Sequence, residues 1–250
     1  MGYPLTSGLP SPCALLTAPF STASPAEHQG SPMSTNRLSR LAMLTAGALF
    51  AIGGTALAAA EFSNQNWEIG PVIGARNYSP GMPPAPVTQR RGWYFDFPAP
   101  RAGSVHYVTV NSGPLAGARR IVVRYRVEAE RGTQFVAEQT PDWPATVSVY
   151  LQRRGDGWNV KRGFEFYRWY APNPTLRQLA PGVGEITVSL GDPGWVSVQG
   201  RAAGEFPEQF TAALRDTVNV GLVFGSQQAR GHGVYATAPA RFRLESFRIE

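Results

Sequence analysis

Residues 121–130 read IVVRYRVEAE, and their alternation decides the fold class. Ile121, Val123, Tyr125, Val127 and Ala129 fall on one side of an extended chain, and Val122, Arg124, Arg126, Glu128 and Glu130 fall on the other. Successive side chains of a strand point to opposite faces, so the stretch reads as a sheet strand with one face in a core and one in water. A helix would scatter both sets around its circumference. The last stretch, Ala240 to Glu250 (ARFRLESFRIE), answers it with Phe242 and Leu244, then Phe247 and Ile249. The phase slips by one residue at Ser246, as a bulge would make it.

Further strands follow from the same period. Thr146 to Gln152 alternates, with Val147, Val149 and Leu151 on one side and Tyr150 on the other; Gly184 to Leu190 and Val218 to Phe224 behave likewise. Trp67 and Ile69, the aromatic run Gly92 to Phe97, and Val105 to Val110 supply shorter candidates. Arg154-Gly155-Asp156-Gly157 is a turn signal, and the expected hairpin return carries Phe164 and Phe166 on one face with Glu165, Tyr167 and Trp169 on the other. Phe206 to Asp216 has helical spacing (Phe206, Phe210, Ala213, Leu214), with Pro207 in the first turn, where proline is tolerated. Short strands, one short helix and no β-α-β alternation predict an all-β antiparallel sandwich, jelly-roll-like, over residues 59–250.

Gly (27) and Pro (22) are frequent and dispersed, as turn-joined strands require. The formal charge is +6, carried almost entirely by arginine, since Lys161 is the sole lysine. These cations stand among carboxylates: Arg124 and Arg126 precede Glu128 and Glu130, and Arg241 and Arg243 precede Glu245. Nucleic-acid binders gather their basic residues on one face, so nucleic acid is rejected as the main partner. The alternating signs instead predict a solvated face where charges on adjacent strands pair.

The amino-terminal sixty residues differ in kind. From Met33, Arg37 and Arg40 form a positive region, Leu41 to Leu57 an apolar run, and Ala56-Leu57-Ala58 a cleavage signal. Residues 33–58 thus read as a secretory signal peptide, which leaves no membrane span after cleavage and predicts a secreted or periplasmic protein. Residues 1–32 lack periodicity and read as an over-extended start or a disordered segment. Cys13, in this leader, is the only cysteine, so the exported chain has no disulfide, thiolate nucleophile or Cys-ligated metal.

The ending Phe242-Arg243-Leu244-Glu245-Ser246-Phe247-Arg248-Ile249, preceded by the apolar strand Val218 to Gly225 and a loop, resembles the closing strands of jelly-roll carbohydrate-binding modules. The order YLQRRGDGW, FYRWY, VGLVFG, GHGVY between Tyr150 and Glu250 is also similar to a group of uncharacterised secreted bacterial proteins. Some of those carry a carboxyl-terminal sorting helix, which this sequence lacks. The first resemblance implies a fold and leaves a structural calcium open, with Glu245 where such families place an acid; otherwise no cofactor is expected.

For chemistry, the aromatic residues Trp158, Tyr167, Trp169, Tyr170 and Trp195 could stack on sugar rings, with Glu165, Arg168, Asp156 and Asn159 as directed polar groups. Core filling is the competing role for each ring. Tyr167 and Trp169 stand out, because Phe164 and Phe166 already supply the opposite face of the expected strand. A glycosidase needs two carboxylates about 5–9.5 Å apart, and Glu128 and Glu130 have that spacing but read as an exposed charged face. His106 and Tyr107 offer a base to a polysaccharide lyase without any lyase motif around them. His232 reads as part of a Gly-His-Gly turn, and two distant histidines make no metal-ligand spacing. The sequence therefore predicts a non-catalytic sandwich that binds a glycan or envelope component through exposed aromatics. A glycoside hydrolase or lyase of the same fold and a structural envelope protein are the alternatives.

Overall fold

The computed structural model describes residues 59–250 except Val160 and Arg162; the expected signal peptide over 33–58 and the segment before it lie outside the described residues. In chain order the elements are β1 Ala60–Glu61, β2 Trp67–Gly70, β3 Val72–Ile73, β4 Arg76–Asn77, β5 Val87–Thr88, β6 Trp93–Asp96, β7 Tyr107–Asn111, β8 Arg120–Ala129 and β9 Phe135–Ala137. They continue as β10 Thr146–Arg153, β11 Arg168–Tyr170, β12 Arg177–Gln178, β13 Gly182–Ser189, β14 Val196–Ser197, α1 Pro207–Arg215, β15 Thr217–Gly225, β16 Val234–Ala236 and β17 Ala240–Ile249.

The strand β8 is the expected one. Ile121, Val123, Tyr125 and Val127 are buried, while Arg124, Arg126 and Glu128 are exposed. It pairs antiparallel with β13 on one side and β17 on the other. The β17 register skips between Leu244 and Ser246, so the bulge lies where the sequence phase slips.

Two antiparallel sheets face each other. One runs β13-β8-β17-β6-β5 with β1 on β17, and the other runs β14-β11-β10-β15-β7-β2 with β12 beside β10. Number the eight strands β6, β7, β8, β10, β11, β13, β15 and β17 in chain order. The first sheet then reads sixth, third, eighth, first, and the second reads fifth, fourth, seventh, second. That interleaving is a jelly roll, two Greek keys wound together.

Between the sheets lies one core. The first sheet contributes Phe95, Phe242 and Phe247, and the second contributes Val149, Leu222 and Phe224. Helix α1 closes one side: Phe210 sits 4.9 Å from Trp169 and 5.6 Å from Trp195, ring centre to ring centre. On the outer face of the first sheet the alternating charges pair across strands: Arg124 with Glu185 (2.8 Å), Arg126 with Glu245 (3.2 Å), Arg243 with Glu128 (3.1 Å) and Arg241 with Asp96 (2.7 Å). Water screens such exposed pairs, so each adds little to stability. No helix among the described residues is long and apolar enough to cross a membrane.

The expected hairpin return over 164–169 is corrected. Among the described residues of 154–167 there is no strand, and the strand begins only at Arg168. The register Leu151↔Trp169 puts Trp169 on the inward face, beside Leu151, rather than on an outward face with Tyr167.

Candidate functional site

The outer face of the second sheet is not left to water. Along β10, Ser148, Tyr150 and Gln152 point outward and are nevertheless buried; Trp158, Val196 and Val198 pack against the cluster that holds Tyr150, and Gln152 is hydrogen-bonded to Asp156 of the covering loop. Tyr107, Tyr150, Tyr170 and Val223 form a second apolar cluster there, against which Trp158 packs. The Tyr107 and Tyr170 hydroxyls share a 2.8 Å hydrogen bond, and the Tyr150 hydroxyl is hydrogen-bonded to Thr109 Oγ1.

A buried ion pair pins the covering loop to the sheet. The Asp156 side chain is fully buried and that of Arg168 is 7% exposed, with Arg168 Nε 2.6 Å from Asp156 Oδ2. The Nε–H is not aimed along that line, so the contact is an ion pair rather than an aligned hydrogen bond. Asp156 also accepts from Gln152 Nε2 (2.9 Å) and from the Trp158 backbone N–H (3.1 Å), while Gln152 Oε1 accepts from Asn219 Nδ2 (2.9 Å). Burial opposes the charge on Arg168, but Tyr170, Tyr107 and Asp156 outweigh it and hold the guanidinium above its ordinary pKa. Burial first, then the neighbouring phenol, pushes the Tyr107 pKa well above its ordinary value; burial likewise raises Tyr170 and Tyr150.

Trp158, whose N–H donates to Asp156, has a left-handed backbone conformation (φ 57°). For a bulky residue that geometry costs about 1–3 kcal/mol and persists only where the surroundings impose it. The indole meets the Tyr107 ring edge-to-face at 4.9 Å and carries the Arg168 guanidinium 4.8 Å above its ring. Trp158, Arg168, Tyr170, Tyr107, His106 and Tyr78 line a cleft of about 440 Å³, a volume within the range of small-molecule sites. His232 stands at its rim, its pKa lowered by burial and by the Arg168 charge.

His106 is held by its Nδ1–H donating to the Gly231 carbonyl (2.9 Å), and burial lowers its pKa despite that bond and the nearby Glu138. Ser104 Oγ lies 2.9 Å from His106 Nε2 and is hydrogen-bonded to Glu138. These three side chains do not form a nucleophile triad. Ser104 is fully buried, and the carboxylate touches the serine instead of orienting the imidazole.

The sequence-predicted residues separate into two groups. Trp158, Arg168 and Tyr170 converge on the cleft. Trp169 and Trp195 do not: both are fully buried, with Trp169 Nε1 donating to the Phe166 carbonyl (2.9 Å) and Trp195 Nε1 to the Ser189 carbonyl (2.8 Å). Their exposure is thereby corrected; they are core residues under α1. Tyr167 sits beneath the Arg153 guanidinium (4.7 Å), and it and Glu165 stay in the covering loop, outside the cleft lining. Asp156 is no free polar group but the partner of Arg168. Sequence reasoning missed Tyr78, which is 42% exposed at the cleft, and Trp143, which is 45% exposed over a separate groove beside Pro141, Pro144 and Gln178. Glu245, considered for calcium, is paired with Arg126, and among the described residues no group of three metal-binding side chains gathers.

No family model and no curated protein matches the chain. Among solved structures, the L4b domain of human laminin alpha-2 is similar at 10% identity and a TM-score of 0.37, over 76% of this chain and 93% of that one. That likeness is too distant to bear on function.

Proposed function

We propose that this chain is a secreted or periplasmic, non-catalytic β-sandwich protein that binds a glycan or other envelope component through the Trp158 cleft. The carrying observation is Trp158 itself, held in a left-handed backbone conformation beside a buried ion pair at the wall of a cleft also lined by three phenols and a guanidinium. A sugar presents one apolar face and a rim of hydroxyls, and a rigid aromatic surface with a few fixed polar groups complements both. Two features favour binding over chemistry. The cleft lining contains no carboxylate, whereas glycoside hydrolysis uses two. Burial raises the pKa of two of its phenols, Tyr107 and Tyr170, which opposes their use as bases.

Glycan-array screening followed by calorimetry tests the reading. Trp158→Ala is expected to weaken binding about tenfold or more, while Tyr167→Ala leaves it unchanged. Absence of any retained glycan, or equal affinity in the Trp158 variant, would sink it. The convergence of His106, Tyr107 and Arg168 favours a polysaccharide lyase as the second reading. Appearance of the ultraviolet absorbance of an unsaturated uronate, lost in His106→Gln, would establish that one instead.

A further inference from the structure

We propose a second binding site on the opposite sheet, at the β5–β6 hairpin, which takes the acidic groups of an anionic polysaccharide. On the outer face of that sheet every arginine of β8 and β17 has a carboxylate within 4 Å: Arg120 and Arg248 have Glu250, and Arg124, Arg126, Arg241 and Arg243 have the partners described above. Arg90 and Arg91 break this rule. They are exposed, adjacent and without an ion pair among the described residues. Together with Gln89, Arg243 and Glu245 they line an open cleft of about 660 Å³. Glu245 is engaged by Arg126, so it does not neutralise them.

The hairpin is fixed in place. Gln89 N–H donates to the Gly92 carbonyl (3.0 Å), and Gly92 N–H donates to Asn64 Oδ1 (2.9 Å). Gly92 has φ +69° and presses so close to β17 that a Cβ would fall 1.9 Å from the Leu244 carbonyl oxygen. Arg243 Nη1 donates to Gln89 Oε1, tying the loop to the sheet a second time. Two guanidinium groups are thus presented from a braced turn, and their planar forks match carboxylate or sulfate oxygens. Tyr94 continues the site along the sheet, with Arg241 3.9 Å and Arg243 5.9 Å from its ring centre. A polysaccharide fits this face better than an anionic bilayer. The carboxylates of Asp96, Glu128, Glu185 and Glu245 stand between the arginines and would oppose a flat negative surface, whereas a chain with spaced acid groups can address Arg90 and Arg91 alone.

The test uses the purified protein with polygalacturonate oligomers, neutral galactan oligomers of matched length, and phosphatidylglycerol vesicles. Polygalacturonate is expected to bind and to be released by salt, with no galactan binding at this site. Arg90→Gln/Arg91→Gln is expected to weaken that binding about tenfold or more, against about twofold or less for Arg131→Gln/Arg215→Gln, which removes the same charge elsewhere. Trp158→Ala should leave it intact, so this site and the Trp158 cleft fail or stand separately. In the unmutated protein the Nε–H resonances of Arg90 and Arg91 should shift on titration, which decides the matter even if the double variant does not fold. Equal losses in both double variants, unshifted arginine resonances, or binding to vesicles alone would overturn the proposal.

Discussion

Asp156→Ala is the most informative single change. The substitution leaves Arg168, whose side chain is 7% exposed, without its 2.6 Å partner, and it strips acceptors from Gln152 Nε2 and the Trp158 backbone. Removing one member of a buried pair costs about 3–5 kcal/mol, because the remaining charge stays desolvated. Part of this is offset: without the carboxylate, Trp158 can leave its φ of 57° and release about 1 kcal/mol of strain. The net loss is therefore about 3 kcal/mol, or about 6–12 °C in melting temperature for a domain of this size. Urea denaturation at neutral pH measures it. Arg168→Met should cost a similar amount, since it leaves the fully buried Asp156 carboxylate without its cation, and the double variant should be more stable than the sum of the two losses implies. A loss below about 1 kcal/mol, or strict additivity of the two changes, would show that the ion pair does not hold the covering loop.

Other outcomes follow from the same packing. Trp169→Ala should cost about 3–5 kcal/mol in denaturant unfolding, as a deleted core ring does, whereas Tyr167→Ala should cost about 1 kcal/mol or less; comparable losses would contradict the inward placement of Trp169. The pKa of His232 is depressed in the fold, so its contribution to stability is present above the unfolded value of about 6.5 and is lost as pH falls through the lower folded value. Urea midpoints between about pH 7.5 and about pH 5 should therefore fall less steeply for His232→Gln than for the parent; identical slopes would count against the shift. Gly92→Ala should destabilise by more than about 1 kcal/mol, because of its positive φ and the Leu244 carbonyl in the way, and a neutral result in thermal melts would mean that the hairpin is not braced against β17.

The architecture was largely legible because alternation reports burial directly. Strand β8, the bulge at Ser246, α1 and the paired charges of the outer face all follow from which side of the chain is apolar. The second sheet was harder to read, since β10 is buried on both faces and its alternation says nothing of what covers Tyr150 and Gln152. Trp169 departs from its expected face for a related reason: the alternation places Phe164 and Phe166 on the same strand, whereas they belong to the loop and only Arg168–Tyr170 pairs with β10. Nothing in the local pattern announces that Asp156 and Arg168, twelve positions apart, neutralise each other, or that Tyr107 and Tyr170 meet across the sheet. Trp143 lies within the poorly patterned stretch Gln134 to Trp143, where exposure leaves no period to detect.

The most direct measurement is a titration of the purified protein with an array-selected oligosaccharide, followed through the indole N–H resonances of its tryptophans. The account predicts that the Trp158 indole shifts while those of the buried Trp169 and Trp195 stay in place. Shifts confined to Trp143, or no shift at Trp158 at saturating ligand, would contradict it.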